Sequence, residues 1–144
     1  MLLTATCMVQ EGRIADALRP RLEAALKSSV RTHVGPSARL AVAWLSIPRG
    51  SGYAAGRPST SSLVQIAVPD GFDQPAREAL MREVNERWCH ITGQSPYELL
   101  IGATDKTPGR AVIKSLVEQI PLRQKPRFIG DYAKQAIMSL ARGH

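Results

Sequence analysis

The chain has 144 residues, 44% hydrophobic and 22% charged, which excludes intrinsic disorder and suits one globular domain. No apolar run approaches the roughly 18 residues of a membrane span, and the start lacks the basic residues of a secretory signal, so we expect a cytoplasmic protein. Two cysteines, Cys7 and Cys89, exclude a disulfide framework, and the sequence predicts no metal site and no cofactor.

The first half of the chain predicts a strand, a helix and a second strand. A β-prone run covers Leu3 to Val9, and apolar residues then recur at helical spacing. Because Pro20 would cost about 3 kcal/mol inside a helix, the helix should begin at Arg19, or a short turn should precede it. Arg39 to Ile47 predicts the second strand, and the Gly-, Pro- and Ser-rich stretch from Pro48 to Ser62 predicts a loop.

The second half of the chain repeats this order of elements. Leu63 to Val68 predicts a third strand and Tyr97 to Ala103 predicts a fourth. Between these strands, Asp73 is the expected cap of a helix, with Pro75 in its first turn. Gly93 is expected to end that helix.

A shift of 59 positions aligns the two halves. Val9-Gln10-Glu11-Gly12 then falls on Val68-Pro69-Asp70-Gly71, and Gly50 falls on Gly109. The predicted fold class is α/β, with two β-α-β repeats forming one four-stranded mixed sheet and two helices on one face. We divide this single domain into repeat one, about 1–58, repeat two, about 59–115, and a basic C-terminal extension, 116–144.

Two consequences follow for packing. The core should include six apolar residues: Leu22, Leu26, Val42, Leu80, Val84 and Ile101. Since both helices lie on one face of the sheet, apolar side chains on the other face need a partner, and a second copy of the chain is the simplest one.

Basic charge is concentrated at the C-terminal end. Residues 106–144 carry eight basic and two acidic side chains, whereas residues 1–105 carry 11 and 10. A helical stripe also occurs there, formed by Phe128, Ile129, Tyr132, Ala136, Ile137 and Leu140. We expect this helix to pack on the protein body or on a neighbouring subunit, with no membrane partner. No nucleic-acid partner is expected either, because the strand segments Leu63 to Ile66 and Leu99 to Ile101 lack basic and aromatic residues.

Two junctions and one loop carry a family resemblance. The run from Gln65 to Gly71, followed by the helix from Arg77 to Val84, resembles the strand, glycine and helix of 4-oxalocrotonate tautomerase. Gln10-Glu11-Gly12-Arg13 is similar to the same junction in the first repeat, and Pro48 to Gly56 is similar to a loop of the cis-3-chloroacrylic acid dehalogenase group. This resemblance to the tautomerase superfamily covers about residues 1–115. The fused two-unit members assemble as trimers, so it implies a homotrimer.

The resemblance also implies a chemistry. Family members use an N-terminal proline as general base or acid on small 2-oxo or unsaturated carboxylates, which arginines hold. Met1 stands at that position here, and Leu2 is too large for methionine removal, so either the Met1 amine is the catalytic base or the site is vestigial. By position, Arg13, Tyr53 and Arg57 are the expected substrate-binding residues.

The sequence departs from the dehalogenases at two further places. They carry two arginines after the third strand, where this chain has Pro69 to Pro75 with acidic residues, and a glutamate near the C-terminal loop, where it has Val112-Ile113-Lys114. We therefore expect a tautomerase-like protein that binds a small carboxylate with weak or altered activity. A non-catalytic trimer that binds an anion or a partner remains the alternative.

Overall fold

The computed structural model describes residues 1–119, 121, 123 and 125–142; the side chains of residues 112, 113, 116, 117 and 128 are not among the described ones. In chain order the strands and α-helices are β1 (Leu2–Gln10), α1 (Arg19–His33), β2 (Arg39–Ile47), β3 (Tyr53–Ala54), β4 (Arg57–Pro58), β5 (Ser62–Val68), α2 (Gln74–Thr92), β6 (Leu99–Asp105), α3 (Lys106–Glu118) and α4 (Lys125–Ala141).

Four strands form one mixed sheet in the order β2-β1-β5-β6. The outer pairs, β1 with β2 and β5 with β6, are parallel, and the central pair of β1 and β5 is antiparallel. Helices α1 and α2 cover one face, and α3 and α4 form a C-terminal helical extension. The predicted fold class is therefore confirmed.

Two glycines occupy matching positions in the two proposed repeats. Gly12 and Gly71 lie 59 positions apart, each just after the first strand of a β-α-β unit, and both have φ of 75°. Glycine is favoured there because a left-handed backbone carries a steric cost for residues with a Cβ. The division into repeat one, repeat two and extension stays a prediction.

The helix boundaries follow the local signals in the sequence. Helix α1 begins at Arg19 with Pro20 in its first turn, and a 3-10 turn over Asp16–Leu18 precedes it, so both expected solutions occur together. Asp73 caps α2 by accepting a hydrogen bond from the Ala76 N–H at 3.3 Å. Gly93 ends α2 with φ of 74°.

The core lies between the sheet and helices α1 and α2. Five of the six predicted core residues are buried, namely Leu22, Leu26, Val42, Leu80 and Val84. Ile101 is only half-buried against this core, because β6 is an edge strand. Trp44 of β2 stacks on Trp88 of α2 with 5.9 Å between ring centroids, which joins the two repeats.

Two predicted boundaries are wrong. The fourth strand begins at Leu99 rather than Tyr97, because Ser95 and Glu98 form a capping box around a 3-10 turn over Pro96–Glu98. The predicted loop from Pro48 to Ser62 contains the β3–β4 hairpin, and its last residue already belongs to β5. Ala55 and Gly56 both have positive φ, as a two-residue hairpin turn requires.

Helix α4 packs along the outer edge of β2. The Val42 N–H donates to Ser139 Oγ at 2.9 Å, and the Trp44 N–H donates to Gln135 Oε1 at 2.6 Å. Thr6, on the face away from α1 and α2, is hydrogen bonded to Tyr132. Half of that face is therefore covered by the chain itself, and Ala41 and Ala43 are buried there.

The stripe predicted for α4 packs on the body of the chain only in part, and its packing on a neighbouring subunit stays a prediction. Ile129 and Ile137 are 49% and 67% exposed, whereas Ser139 is buried. The face turned to β2 is polar because an edge strand presents unpaired N–H groups, which need acceptors rather than apolar side chains. The side chain of Phe128 lies outside the described residues. Within the described part of the chain, no helix is long and apolar enough to cross a membrane.

Candidate functional site

Met1 lies at the start of β1, at one end of the sheet. Its ammonium group is 3.5 Å from the Ser37 carbonyl oxygen, and its own carbonyl accepts a hydrogen bond from the Arg39 N–H at 2.9 Å. Met1 is 58% exposed and Arg39 is exposed. Arg39 is therefore the arginine nearest to Met1 along the sheet, and the sequence reasoning missed it. The signal was present, since parallel β1 and β2 begin at the same end of the sheet.

Arg13 lies beyond the other end of β1, in an ion pair. Its Nη2 is 3.2 Å from Glu98 Oε1. Glu98 also accepts hydrogen bonds from the Ser95 N–H at 2.9 Å and from Thr60 Oγ1 at 3.3 Å. The Ser95 N–H and the Arg13 guanidinium are the main groups that hold the pKa of Glu98 below its ordinary value. A ligand carboxylate at Arg13 would have to share the guanidinium with Glu98.

Tyr53 and Arg57 lie on the β3–β4 hairpin, at the same end of the sheet as Arg13. The Tyr53 hydroxyl donates to the Gly56 carbonyl oxygen at 2.8 Å, and both side chains are exposed. Gln10 Nε2 donates to the Ser59 carbonyl oxygen at 3.1 Å, which ties the hairpin to the end of β1. Three of the four predicted site residues thus share one end of the sheet.

The fourth predicted residue, Met1, is far from the other three. Met1 directly precedes β1, and Gln10 ends it; because a strand rises about 3.3 Å per residue, Met1 and Gln10 lie about 30 Å apart. A single chain does not bring Met1 together with Arg13, Tyr53 and Arg57.

The Met1 end also receives the carboxyl ends of β5 and β6, because β5 runs antiparallel to β1. Asp105 there accepts a hydrogen bond from Arg77 Nη2 at 2.6 Å and another from the Gly71 N–H at 3.2 Å. The Arg77 contact is the main cause that lowers the pKa of Asp105. Asp70 accepts from the backbone and hydroxyl of Thr107 at the start of α3. Arg77 is thus already paired within the chain.

Other candidate chemistries find little support. Burial raises the pKa of the Cys7 thiol and keeps it protonated, and the pKa of Cys89 is also raised by burial. Across the described residues, no group of three or more His, Cys, Asp or Glu side chains could hold a metal ion. A shallow surface crevice lined by residues of α1 and α2 has no enclosed space for a water molecule and contains none of the predicted site residues; it is lined by Leu22, Ala25, Leu26, Val84 and Trp88.

No protein-family model matches the sequence, and no curated protein sequence matches it either. Solved structures do match. A wild-type fused 4-OT, crystallised as a symmetric trimer, superposes with a TM-score of 0.63 at 18% identity, covering 71% of this chain and 84% of that chain. The chain has the tautomerase-superfamily fold.

Two further structures with the tautomerase fold extend the comparison. Pt0534, inactivated by 2-oxo-3-pentynoate, matches with a TM-score of 0.62 at 21% identity over 71% of this chain and 84% of that one. N1, a member of the cis-3-chloroacrylic acid dehalogenase family, matches with a TM-score of 0.64 at 12% identity over 86% of this chain and 96% of that one. Residues 1–105, up to the end of β6, make up less than three quarters of the chain, whereas the match with N1 covers 86% of it. The match therefore extends past β6 into the helical extension.

Proposed function

We propose that this chain binds a small 2-oxo or unsaturated carboxylate at sites formed between copies of a homotrimer. Tautomerase activity at these sites is weak or altered, because the primary amine of Met1 stands in for an N-terminal proline. The ligand carboxylate is held by guanidinium groups, whose planar fork matches it with two parallel hydrogen bonds.

The observation that carries this proposal is the separation of the two ends of β1. Met1 and Arg39 lie at one end, whereas Arg13, Tyr53 and Arg57 lie at the other, about 30 Å away. A ligand that needs both an amine and the Arg13 cluster can meet them only where the Met1 end of one copy faces the Arg13 end of another. Trimeric assembly supplies such junctions, since a cyclic interface joins different surfaces of neighbouring subunits.

Two relatives in fold support the ligand class and the assembly. The fused 4-OT is a trimer, and Pt0534 is inactivated by 2-oxo-3-pentynoate, a small 2-oxo carboxylate with an unsaturated bond. We transfer both properties to this chain as part of the proposal. The exposed Arg39 supports the same ligand class, because its backbone N–H is bonded to the Met1 carbonyl oxygen and an arginine therefore lies beside the residue that carries the amine.

A non-catalytic anion- or partner-binding trimer is the second candidate. It is favoured by the internal pairing of arginines, since Arg13 is bound to Glu98 and Arg77 to Asp105. Paired guanidinium groups bind an added carboxylate more weakly than free ones. In this case the trimer binds anions without proton transfer at Met1.

The proposal is tested by calorimetric titration of the purified protein with phenylpyruvate, a stable small 2-oxo acid. Intact-mass measurement first establishes whether Met1 is the mature terminus. Arg13→Ala should weaken binding about ten- to a hundred-fold, because one charge-assisted hydrogen bond contributes about 1.5–3 kcal/mol. Arg82→Ala, at an exposed position of α2, is the matched control and should bind like the parent. Absence of binding by the parent, or equal binding by both variants, would contradict the proposal.

A further inference from the structure

One glycine of the first repeat is in close contact with an arginine from another loop. A Cβ on Gly12 would lie 2.5 Å from Nη2 of Arg49 and 3.6 Å from its Cζ. The Arg49 guanidinium therefore lies directly against the Gly12 backbone, beside Arg13 in the sequence. A Cβ at this position would push the end of the Arg49 side chain away from the Gly12 backbone, since 2.5 Å is shorter than any ordinary contact of a Cβ.

The second repeat provides an internal comparison for this contact. Gly71 has the same φ of 75° as Gly12, yet nothing lies within 4 Å of the position of its Cβ. In the alignment of the two halves, Pro108 stands at the position of Arg49 and Phe72 at the position of Arg13. The turn geometry is therefore shared by both repeats, whereas the pair of arginines belongs to the first repeat alone.

The loop backbone that carries Arg49 is tied to the end of β1, and the Arg49 guanidinium is not neutralised by a described carboxylate. The loop that carries Arg49 is fixed at the β1 end, because the Glu11 N–H donates to the Ile47 carbonyl oxygen at 2.8 Å and the Ser51 N–H donates to the Pro48 carbonyl oxygen at 3.0 Å. Arg49 is exposed, and within the described residues no carboxylate lies within ion-pair distance of it. Among the described residues no carboxylate competes for this guanidinium, so it can take a ligand carboxylate without giving up a partner.

We propose that Arg49, seated on Gly12 beside Arg13, is the principal carboxylate-binding residue at this end of the sheet. Arg13 is its partner, with part of its hydrogen-bonding capacity used by Glu98. The assignment rests on the proposed binding of a small 2-oxo carboxylate and names the guanidinium group that holds it. The counterpart end, with Phe72 and Pro108 at these positions, does not form an equivalent site.

The test is calorimetric titration with phenylpyruvate of the parent and five variants, one of which is the Arg13→Ala variant described above. Arg49→Ala should weaken binding about ten-fold or more, and Arg49→Lys should weaken it less, because an ammonium keeps the charge without the fork. Gly12→Ala should weaken binding by less than Arg49→Ala, since the new Cβ moves the guanidinium away from the glycine without removing it. Gly71→Ala is the matched control: it imposes the same left-handed strain with no arginine to displace, so it should bind like the parent.

The outcomes separate this inference from the function on which it rests. If the parent binds phenylpyruvate and Arg13→Ala weakens binding while Arg49→Ala does not, the role of Arg49 is wrong and the proposed function stands. Equal effects of Gly12→Ala and Gly71→Ala would also overturn it, because backbone strain would then explain both. If the parent does not bind phenylpyruvate, the inference and the proposed function both fail.

Discussion

At the scale of single residues, the arginines of this protein differ mainly in whether a carboxylate already occupies them. Arg13 pairs with Glu98 and Arg77 pairs with Asp105, whereas Arg49 lies exposed against a glycine. The position of an arginine in the sequence does not reveal whether its guanidinium is paired with a carboxylate. This pairing decides which guanidinium groups can take a ligand, since a paired group must give up one partner to bind another.

The Arg13–Glu98 pair predicts a pH dependence of stability. The pKa of Glu98 is lower in the folded protein than its ordinary value of 4.5. Its contribution to stability is therefore fully present above pH 4.5 and is lost as the pH falls through the pKa of the folded state. Glu98→Gln should therefore be less stable than the parent at pH 7, and the difference should shrink towards pH 3. Urea unfolding between pH 3 and pH 7 measures it. Glu86→Gln, exposed on α2, is the control; a constant difference across this range would contradict the prediction.

At the scale of elements, side chains of α4 accept hydrogen bonds from the backbone N–H groups of β2, the edge strand of the sheet. Ser139 and Gln135 lie one helical turn apart, about 6 Å along the helix, and they meet alternate N–H groups of β2, which lie about 6.6 Å apart. Buried Glu23 of α1 accepts hydrogen bonds from Ser139 Oγ at 3.3 Å and from Arg142 at 3.0 Å. The same side chains therefore join α1, β2 and α4.

Ser139→Ala should lower the free energy of unfolding by about 1–3 kcal/mol, because the buried Val42 N–H would lose its acceptor. Urea unfolding with a helix-reporting signal measures the change. Ser115→Ala, at an exposed position of α3, removes the same hydroxyl without a buried partner and should change stability by less than about 0.5 kcal/mol. Similar losses of unfolding free energy in the two variants would argue that the Ser139 hydroxyl does not stabilise the β2 edge of the sheet.

The sequence predicts the boundary or contact face of an element when the residues that determine it are close together in the chain. The start of α1 at Arg19 and the ends of α2 follow from single residues, such as Pro20 and Asp73, and are confirmed. The late start of β6 was also readable, since Ser95 and Glu98 have the spacing of a capping box. The face of α4 that contacts β2 was not readable from the sequence, because its polar side chains bind N–H groups of a strand that is far away in the chain.

The candidate site was predictable only in part, for the same reason. Arg13, Tyr53 and Arg57 share one end of the sheet, as their positions in the repeat suggest. The opposite position of Met1 was also readable, because the predicted first strand, Leu3 to Val9, lies between Met1 and Arg13. The contact of Arg49 with Gly12 was not readable, because it joins two loops that are not adjacent in the chain.

At the scale of the whole molecule, an apolar row crosses the face of the sheet opposite α1 and α2. It follows the strand registers, with Met8 opposite both Leu45 and Leu63, and Leu63 opposite Leu100. Helix α4 covers the β2 side of this face, but Leu100 on β6 is 67% exposed. The row is therefore the surface on which further copies of the chain are expected to pack.

Leu100→Glu should dissociate the expected trimer, because a charge in an apolar interface is left without a partner. Light scattering of the parent at micromolar concentration should give the mass of three chains, and the variant should shift towards 15.7 kDa. Arg82→Glu, at an exposed position of α2 on the opposite face of the sheet, is the control and should keep the parent mass. A parent that stays at the single-chain mass would rule out the trimer.

The assembly should have weak activity that improves with a secondary amine. A proline inserted after Met1 becomes the mature terminus once methionine is removed, and it should raise the rate of phenylenolpyruvate ketonisation. An alanine inserted at the same place gives the same chain length with a primary amine, so it isolates the effect of the secondary amine. Equal rates for the two insertions would instead favour the non-catalytic, anion-binding alternative.

The central claim is that the site is shared between copies, and mixed assemblies test it most directly. Arg13→Ala and Arg39→Ala are each expected to bind phenylpyruvate poorly alone, since each removes one end of every site. Unfolded together and refolded as mixed trimers, they should recover about a quarter of the parent sites, because one ordering of neighbours joins two intact ends. Calorimetry counts these sites. No recovery on mixing, beside a parent that binds, would place the site within one chain and contradict the account.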